Sequence, residues 1–172
     1  MTKILIVYES QTGNTEKMAE AIAAGVGEVK GVECEVKKVS KARLDDLVAA
    51  DAIIMGSPTY YGEMSAALKS FIDSSAQIHG KLEGKVGAAF TSAGGTASGA
   101  ETTLLSILQT MLVHGMIIQG RPDDKHYGVA CVESPNEGAT ENCRKLGRRT
   151  AELTLKILGG TGRRLQSKGS KK

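Results

Sequence analysis

The segment formed by residues 3–15 places a strand, a short polar loop and a helix start in direct succession. An apolar, β-prone run ends at Tyr8, and the hydroxyl and amide side chains of residues 10–15 follow it. Apolar residues then recur at helical spacing, at Met18, Ile22 and Val26. Backbone N–H groups at such a junction, together with the positive end of the helix dipole, attract anions. The segment therefore predicts a strand that leads directly into a helix, with an anion site between them.

We call residues 10–15 the first loop. Gly13 allows the backbone to approach a ligand closely, and the hydroxyl groups of the loop add hydrogen-bond donors. Because no Lys or Arg lies in the loop, a phosphate would be held by hydrogen bonds alone, which favours a monoester such as flavin mononucleotide (FMN). The alternative is an N-capped helix that binds no ligand. The predicted phosphate ligands are Ser10, Gln11, Thr12, Gly13, Asn14 and Thr15.

Strand candidates alternate with amphipathic helical patterns along residues 1–160, without an internal repeat or linker, so this range is predicted to be one domain. The run Ala52 to Met55 is apolar on both faces, as expected where helices cover both sides of a parallel sheet. The alternation predicts a doubly wound α/β fold. The predicted strands are 3–8, 33–39, 51–56, 85–91 and 116–119 together with 128–132.

Ligands of doubly wound sheets bind outside the carboxyl ends of the strands, so the polar segments that follow the first, third and fourth strands should converge. We call residues 57–62 the second loop and residues 92–99 the third loop. Adjacent tyrosines in the second loop could contact a planar heterocycle, or could pack on a helix or a second subunit. The predicted cofactor contacts of the second loop are Pro58, Thr59, Tyr60, Tyr61 and Gly62.

The third loop is rich in glycine but has neither the dinucleotide-binding spacing nor the Lys of a nucleoside-triphosphate loop. Its N–H groups could instead line the polar rim of a flavin ring, although a flexible surface loop is the alternative. No metal-ligand spacing and no catalytic Ser-His-Asp set is found, so any chemistry is expected to come from the cofactor. The predicted cofactor contacts of the third loop are Ser92, Ala93, Gly94, Gly95 and Thr96.

Together these segments resemble the flavodoxin-like superfamily, and more closely its WrbA-like quinone reductases. The run Ser-Gln-Thr-Gly-Asn-Thr of the first loop is similar to the flavodoxin phosphate loop, and residues 56–66 and 90–101 are similar to WrbA-like segments. The resemblance covers residues 3 to 158. It implies a five-stranded parallel sheet in the order 2-1-3-4-5 with helices on both faces, non-covalent FMN, and reduction of quinones by NAD(P)H.

The chain also departs from the WrbA-like pattern. It contains no tryptophan, its fifth strand lacks the long insertion, and a single histidine, His114, precedes Gly115-Met116. We expect His114 to lie near the carboxyl edge, where it could act as a catalytic proton donor to a quinone or simply cap its helix. A homo-oligomer that walls the flavin site is expected, with Tyr61, Met64 and Met116 as apolar contacts.

The cysteines, the apolar segments and the distribution of charge predict where the protein is located and how its C-terminal tail behaves. Three widely spaced cysteines and the absence of a signal peptide or apolar span predict a cytoplasmic protein without a membrane span. Five of the 22 Lys and Arg residues lie in residues 161–172, which leaves 17 against 19 acidic residues in the body. This basic tail is predicted to be disordered, and no nucleic-acid-binding face is expected.

Two functions of different classes remain open. The first is an FMN-dependent enzyme that reduces a quinone or another small acceptor with NAD(P)H. The second is a flavodoxin-type carrier that shuttles electrons between redox proteins, and a flavin-binding regulatory module is a third, weaker reading. A nearly neutral body with only Glu63 and Glu101 close to the three loops favours the enzyme.

Overall fold

The computed structural model describes residues 1–168, with side chains up to residue 159. Four parallel strands lie side by side in the order β2-β1-β3-β5, and two short strands, β6 and β7, share the fifth position beside β5. The predicted order 2-1-3-4-5 is therefore confirmed, with β5 as the fourth strand and β6 and β7 as the fifth. The strands are β1 (Thr2–Tyr8), β2 (Val32–Lys38), β3 (Ala52–Tyr60), β4 (Glu63–Met64), β5 (Val86–Ala93), β6 (Ile117–Ile118) and β7 (Val129–Val132).

Helices cover both faces of the sheet, because the side chains of each strand alternate between two apolar layers. In β1, Ile4 and Ile6 pack in the layer beneath α1 and α5, whereas Leu5 and Val7 pack in the layer beneath α2, α3 and α4. The predicted doubly wound fold is thus confirmed. The helices are α1 (Asn14–Gly27), α2 (Leu44–Ala49), α3 (Ala66–Ser74), α4 (Ala100–Val113) and α5 (Glu137–Lys168).

The third strand is longer than the predicted 51–56. It continues through Pro58 to Tyr60, and Pro58 aligns with Ser92 of β5. Strand β4 then returns antiparallel, so that Thr59 pairs with Met64 across a turn at Tyr61 and Gly62. Pro58 lies beyond the last pair between β1 and β3, Tyr8 with Gly56, so this side of the strand is an edge there and tolerates the missing N–H donor.

Helices α1 and α5 approach each other through glycines. A Cβ atom on Gly25 would lie 2.0 Å from the Arg144 carbonyl oxygen, and one on Gly147 would lie 2.1 Å from the Ile22 carbonyl oxygen. Only residues without a side chain permit this backbone-to-backbone contact. Glu28 at the end of α1 adds ion pairs to α5, one of them to Arg144 at 2.6 Å. The helix that begins at the first loop is therefore fixed at its other end.

The predicted disordered tail starts at residue 161, but α5 continues to Lys168. Residues 169–172 lie outside the described residues, so the disorder predicted for them stays a prediction. Within residues 1–168, no helix combines the length and the apolar character required to cross a bilayer.

Candidate functional site at the carboxyl edge of the sheet

The three polar loops meet at the carboxyl edge of the sheet. Thr15 in the first loop shares a hydrogen bond with Ser92 in the third loop, with 2.8 Å between the two hydroxyl oxygens. Thr59 in the second loop lies 2.9 Å from the hydroxyl of Thr91, at the end of β5. Parallel strands bring their carboxyl ends to one edge, and these hydrogen bonds then hold the loops in contact.

The first loop presents backbone donors without acceptors. Gly13 adopts a left-handed conformation with φ of 87°, and its N–H donates to the Ser10 hydroxyl at 3.1 Å. Within residues 1–168, the N–H groups of Thr12, Asn14 and Thr15 find no acceptor. A Cβ atom on Gly13 would meet nothing within 4 Å, so open space lies over the turn. Unpaired donors facing open space at a helix start fit the oxygens of a phosphate monoester.

The second loop is split between buried and exposed residues. Pro58 is buried in the strand, whereas Tyr60 is 38% exposed and Tyr61 is fully exposed with φ of 50°. Burial of the Tyr60 ring and the negative charge of Glu9 raise the pKa of the Tyr60 phenol. Gly62 ends the loop with its carbonyl oxygen 2.6 Å from the Thr102 hydroxyl donor on α4. The turn thus presents one tyrosine to the solvent while α4 holds its base.

The third loop leaves space at its glycines. Ser92 and Ala93 are buried at the end of β5, whereas Cβ atoms on Gly94 and Gly95 would meet nothing within 4 Å. The Ser98 hydroxyl closes the loop by donating to the Gly95 carbonyl oxygen at 2.6 Å. Thr96, between Gly95 and Ser98 in the loop, is exposed. An open, glycine-rich rim beside the unpaired donors of the first loop can accept a flat ring attached to a phosphate chain.

A Cβ atom on Gly99 would lie 2.4 Å from the Gly62 Cα atom, so the second and third loops touch through their backbones. Gly99 has φ of 97° and directly precedes α4. A side chain at this position would push the two loops apart. The contact fixes the width of the space between them.

The expected position of His114 is wrong. Helix α4 starts at the carboxyl edge and runs antiparallel to the strands, so His114 at its end lies at the amino edge. The 14 residues of α4 separate His114 from the three loops by about 20 Å. There its Nε2 atom lies 2.7 Å from the Ser75 hydroxyl, and the two imidazole rings of His114 and His79 are 5.8 Å apart. Within one chain, His114 cannot reach a ligand held by the three loops. We therefore withdraw the catalytic role that was expected for it.

Two of the three expected oligomer contacts are also wrong. Met64 and Met116 are 6% and 4% exposed and belong to the apolar layer under α4, and Met116 lies at the amino edge next to His114. The spacing of a methionine near a strand end does not reveal whether its side chain points into the core. Of the three residues, only Tyr61 is available to another subunit.

Sequence reasoning missed a lysine that reaches the first loop from a distant strand. Lys38 ends β2, which pairs in parallel with β1 so that Tyr8 aligns with Lys38. Its ammonium group donates to the Ser10 carbonyl oxygen at 2.7 Å and lies 3.7 Å from the Glu9 carboxylate. The signal that could have found Lys38 is the register of β1 against β2, since the first loop itself has no basic residue.

A fourth segment, after β7, also reaches this edge. The Lys17 ammonium group in the first turn of α1 donates to the Ser134 hydroxyl at 3.2 Å. Sequence reasoning identified three loops and did not include this one, although it too follows the carboxyl end of a strand. Lys17 therefore places a second ammonium group beside the first loop.

The cysteines and potential metal ligands do not form a site. Among the described residues, no group of three or more His, Cys, Asp or Glu side chains is placed to hold a metal ion. Burial raises the pKa of the Cys131 thiol to about 11 and that of the Cys143 thiol to about 12. These thiols are protonated at neutral pH and make poor nucleophiles.

Comparison with known proteins indicates one family, whose similar members are named either as flavodoxins or as quinone-reducing dehydrogenases. Residues 5–128 match the family described as "Flavodoxin domain". A protein named "Flavodoxin" from Aquifex aeolicus is 37% identical over 168 residues, which cover 93% of this chain and 91% of that protein. A protein named "NAD(P)H dehydrogenase (quinone)" from Archaeoglobus fulgidus is 38% identical over 191 residues, covering 91% of this chain and 100% of that protein.

A solved structure supports the same family as these two relatives. The crystal structure of a WrbA-like flavodoxin from Agrobacterium tumefaciens superposes with a TM-score of 0.80 at 27% identity, covering 91% of this chain and 99% of that one.

Proposed function

Since the chain belongs to the flavodoxin family, we propose that it binds FMN at the carboxyl edge and reduces quinones with NAD(P)H. The observation that carries the proposal is the set of unpaired N–H groups in the first loop, joined to the open third loop by the hydrogen bond between Thr15 and Ser92. The family is one of FMN-binding proteins, and this arrangement fits a monophosphate followed by a flat ring.

Different loops would contact different parts of the cofactor. The backbone donors of Thr12, Asn14 and Thr15 would bind the phosphate, with the dipole of α1 behind them. The N–H groups near Gly94 and Gly95 would face the polar rim of the ring, and Tyr60 with Tyr61 would border its other side. Bound FMN would supply two-electron redox chemistry between NAD(P)H and a quinone.

Support for the enzyme comes from the relatives and from charge. The Archaeoglobus fulgidus relative is named as a quinone-reducing dehydrogenase. Glu9, the acidic residue that directly precedes the first loop, is paired with Lys38, and the Lys17 ammonium group lies beside the same loop, so part of the negative charge at this edge is compensated. An uncompensated acidic rim would disfavour the approach of the negatively charged NAD(P)H.

An electron carrier is the second candidate. The Aquifex aeolicus relative, named a flavodoxin, matches this chain about as well as the dehydrogenase does. A fully exposed Tyr61 at the rim would also suit docking of a redox protein. In that case the protein would exchange electrons with a protein partner rather than with NAD(P)H.

Anaerobic mixing of the FMN-loaded protein with NADPH, and separately with NADH, distinguishes the two candidates. We expect rapid loss of the visible flavin absorbance, on the order of the turnover times of ordinary enzymes, followed by its return when a quinone is added. No bleaching with either nucleotide, together with a stable one-electron state on chemical reduction, would establish the carrier instead.

We further propose that the protein acts in the cytoplasm as a homo-oligomer, in which another subunit covers part of the flavin-bearing edge. The exposure of Tyr61 supports this interface, because tyrosine is enriched in subunit interfaces relative to the rest of the protein surface. Light scattering of the FMN-loaded protein should give a particle larger than one 18.0 kDa chain. A monomer at micromolar concentration would favour the electron carrier.

A further inference from the structure

A carboxylate lies at the base of the first loop. Glu9 directly precedes the loop, and its side chain is only 12% exposed. Its backbone N–H donates to the Gly56 carbonyl oxygen at 3.0 Å, which fixes the residue between β1 and β3. The backbone of Glu9 is therefore held at the end of the strand, directly before the loop.

This charge opposes the ligand that the loop is built to hold. A phosphate monoester carries about −1.5 to −2 charges at neutral pH. Repulsion between like charges grows where burial lowers the effective dielectric constant, and the Glu9 carboxylate is largely buried. The unpaired N–H groups of the loop carry no formal charge to offset it.

Lys38 is the cation that faces this carboxylate. Its Nζ atom lies 3.7 Å from a Glu9 carboxylate oxygen and donates to the Ser10 carbonyl oxygen at 2.7 Å. The ammonium group is therefore engaged by two groups of the protein, the Ser10 carbonyl oxygen and the Glu9 carboxylate. The geometry thus gives Lys38 an effect through charge rather than through contact with the phosphate.

We propose that Lys38 makes the first loop selective for phosphorylated flavin by neutralising Glu9. Without Lys38, the Glu9 carboxylate repels the phosphate and weakens FMN, while riboflavin, which has no phosphate, is unaffected. Lys38 is thus a residue that determines specificity without touching the cofactor. The inference rests on the proposed binding of FMN at this edge.

The test is a double-mutant cycle with two ligands. Dissociation constants for FMN and for riboflavin are measured by quenching of flavin fluorescence for the unaltered protein, Lys38→Met, Glu9→Gln and the double variant. We expect Lys38→Met to weaken FMN by about tenfold and riboflavin by less than about twofold. We expect Glu9→Gln to bind FMN at least as tightly as the unaltered protein, and the double variant to come within about threefold of it.

Two further variants supply controls. Lys38→Arg keeps the charge and should retain the FMN affinity. Lys3→Met removes the same charge from an ion pair between the same two strands, because Lys3 lies 3.6 Å from Glu33 at the amino edge, roughly 20 Å away. Lys3→Met should bind FMN as the unaltered protein does. Added KCl should narrow the gap between Lys38→Met and the unaltered protein, because it screens the repulsion.

Four results would overturn the inference. Equal weakening of FMN and riboflavin in Lys38→Met would show that Lys38 only braces the loop. A double variant as weak as Lys38→Met would show direct contact with the phosphate instead of neutralisation. Unchanged FMN affinity in Lys38→Met would contradict the role proposed for Lys38 and would leave the proposed function intact. Failure of the unaltered protein to bind FMN would contradict both proposals.

Discussion

At the carboxyl edge of the sheet the first loop presents unpaired N–H donors, whereas at the amino edge a lysine and a serine bind other groups of the chain. There the Lys85 ammonium group donates to the carbonyl oxygens of Val48 and Ala50 at the end of α2, and Ser75 bonds to His114 at the end of α4. Helices of a doubly wound fold all begin at one edge and end at the other. One edge therefore collects helix N-termini, which favour anions, and the other collects helix C-termini, which favour cations.

The strongest way to sharpen this comparison is to remove hydroxyl donors from the carboxyl edge. Thr12→Val combined with Thr15→Val should weaken FMN binding by about 2–4 kcal/mol, at roughly 1–2 kcal/mol for each lost hydrogen bond. Riboflavin affinity should fall less than FMN affinity, because riboflavin loses only the support of the Thr15–Ser92 hydrogen bond. Isothermal titration with both flavins measures the difference.

Thr110→Val is the matched control in the last turn of α4, near the amino edge of the sheet, where the Thr110 hydroxyl donates to the Ile107 carbonyl oxygen at 2.7 Å. It should leave both flavin affinities unchanged. If the unaltered protein binds riboflavin as tightly as FMN, the phosphate site of the first loop is wrong.

A second, smaller effect is expected at the amino edge. His114→Asn should lower the free energy of unfolding by about 1 kcal/mol, because it removes the hydrogen bond to Ser75. The rate of flavin reduction should stay the same. Slower reduction with unchanged stability would contradict the separation of the two edges and would place His114 in the site of a neighbouring subunit.

The same histidine should make stability depend on pH. Burial and the nearby His79 ring lower the pKa of His114 in the folded protein below its ordinary value. Its contribution to stability is therefore present above a pH of about 6.5 and is lost as the pH falls through the folded pKa. Urea unfolding near pH 8 and near pH 5.5 should show a steeper loss for the unaltered protein than for His114→Asn. An identical loss of unfolding free energy between pH 8 and pH 5.5 in the two proteins would contradict the lowered pKa of His114.

The smallest effects are expected from the tyrosines of the second loop. Tyr60→Ala or Tyr61→Ala should shift the flavin midpoint potential or the reduction rate, while FMN affinity changes by less than about tenfold. Tyr127→Ala, which removes an exposed tyrosine outside the three loops, is the control. Unchanged potential and kinetics in both variants would assign Tyr60 and Tyr61 to packing alone.

The sequence was sufficient for the features that depend on local pattern and strand direction. The first loop could be predicted because a strand, small polar residues and a helix start follow one another directly. The meeting of residues 10–15 with residues 92–99 followed from parallel strands. The path of α4 could have been predicted in the same way, since a crossover helix must end at the amino edge, and the error over His114 came from not following that direction to its end.

Features that depend on register and packing could not be obtained from local pattern. Lys38 reaches the first loop only because β1 and β2 align Tyr8 with Lys38. Met64 looked available next to a polar turn, but β4 folds back on β3 and buries it. The space over Gly94 is likewise visible only once its neighbours are in place.

The contact of α1 with α5 at Gly25 and Gly147 determines how the cofactor can arrive. Two backbones that touch without side chains between them hold the second half of α1 rigidly against α5, and we expect the first turn of the same helix to keep its shape whether or not an anion is bound. Little conformational entropy then remains to be lost when the phosphate binds. The protein can complete its folding as an empty scaffold, and the flavin then joins a receptor that is already assembled. A larger residue at Gly147 should therefore slow the uptake of FMN before it alters any residue that touches the cofactor.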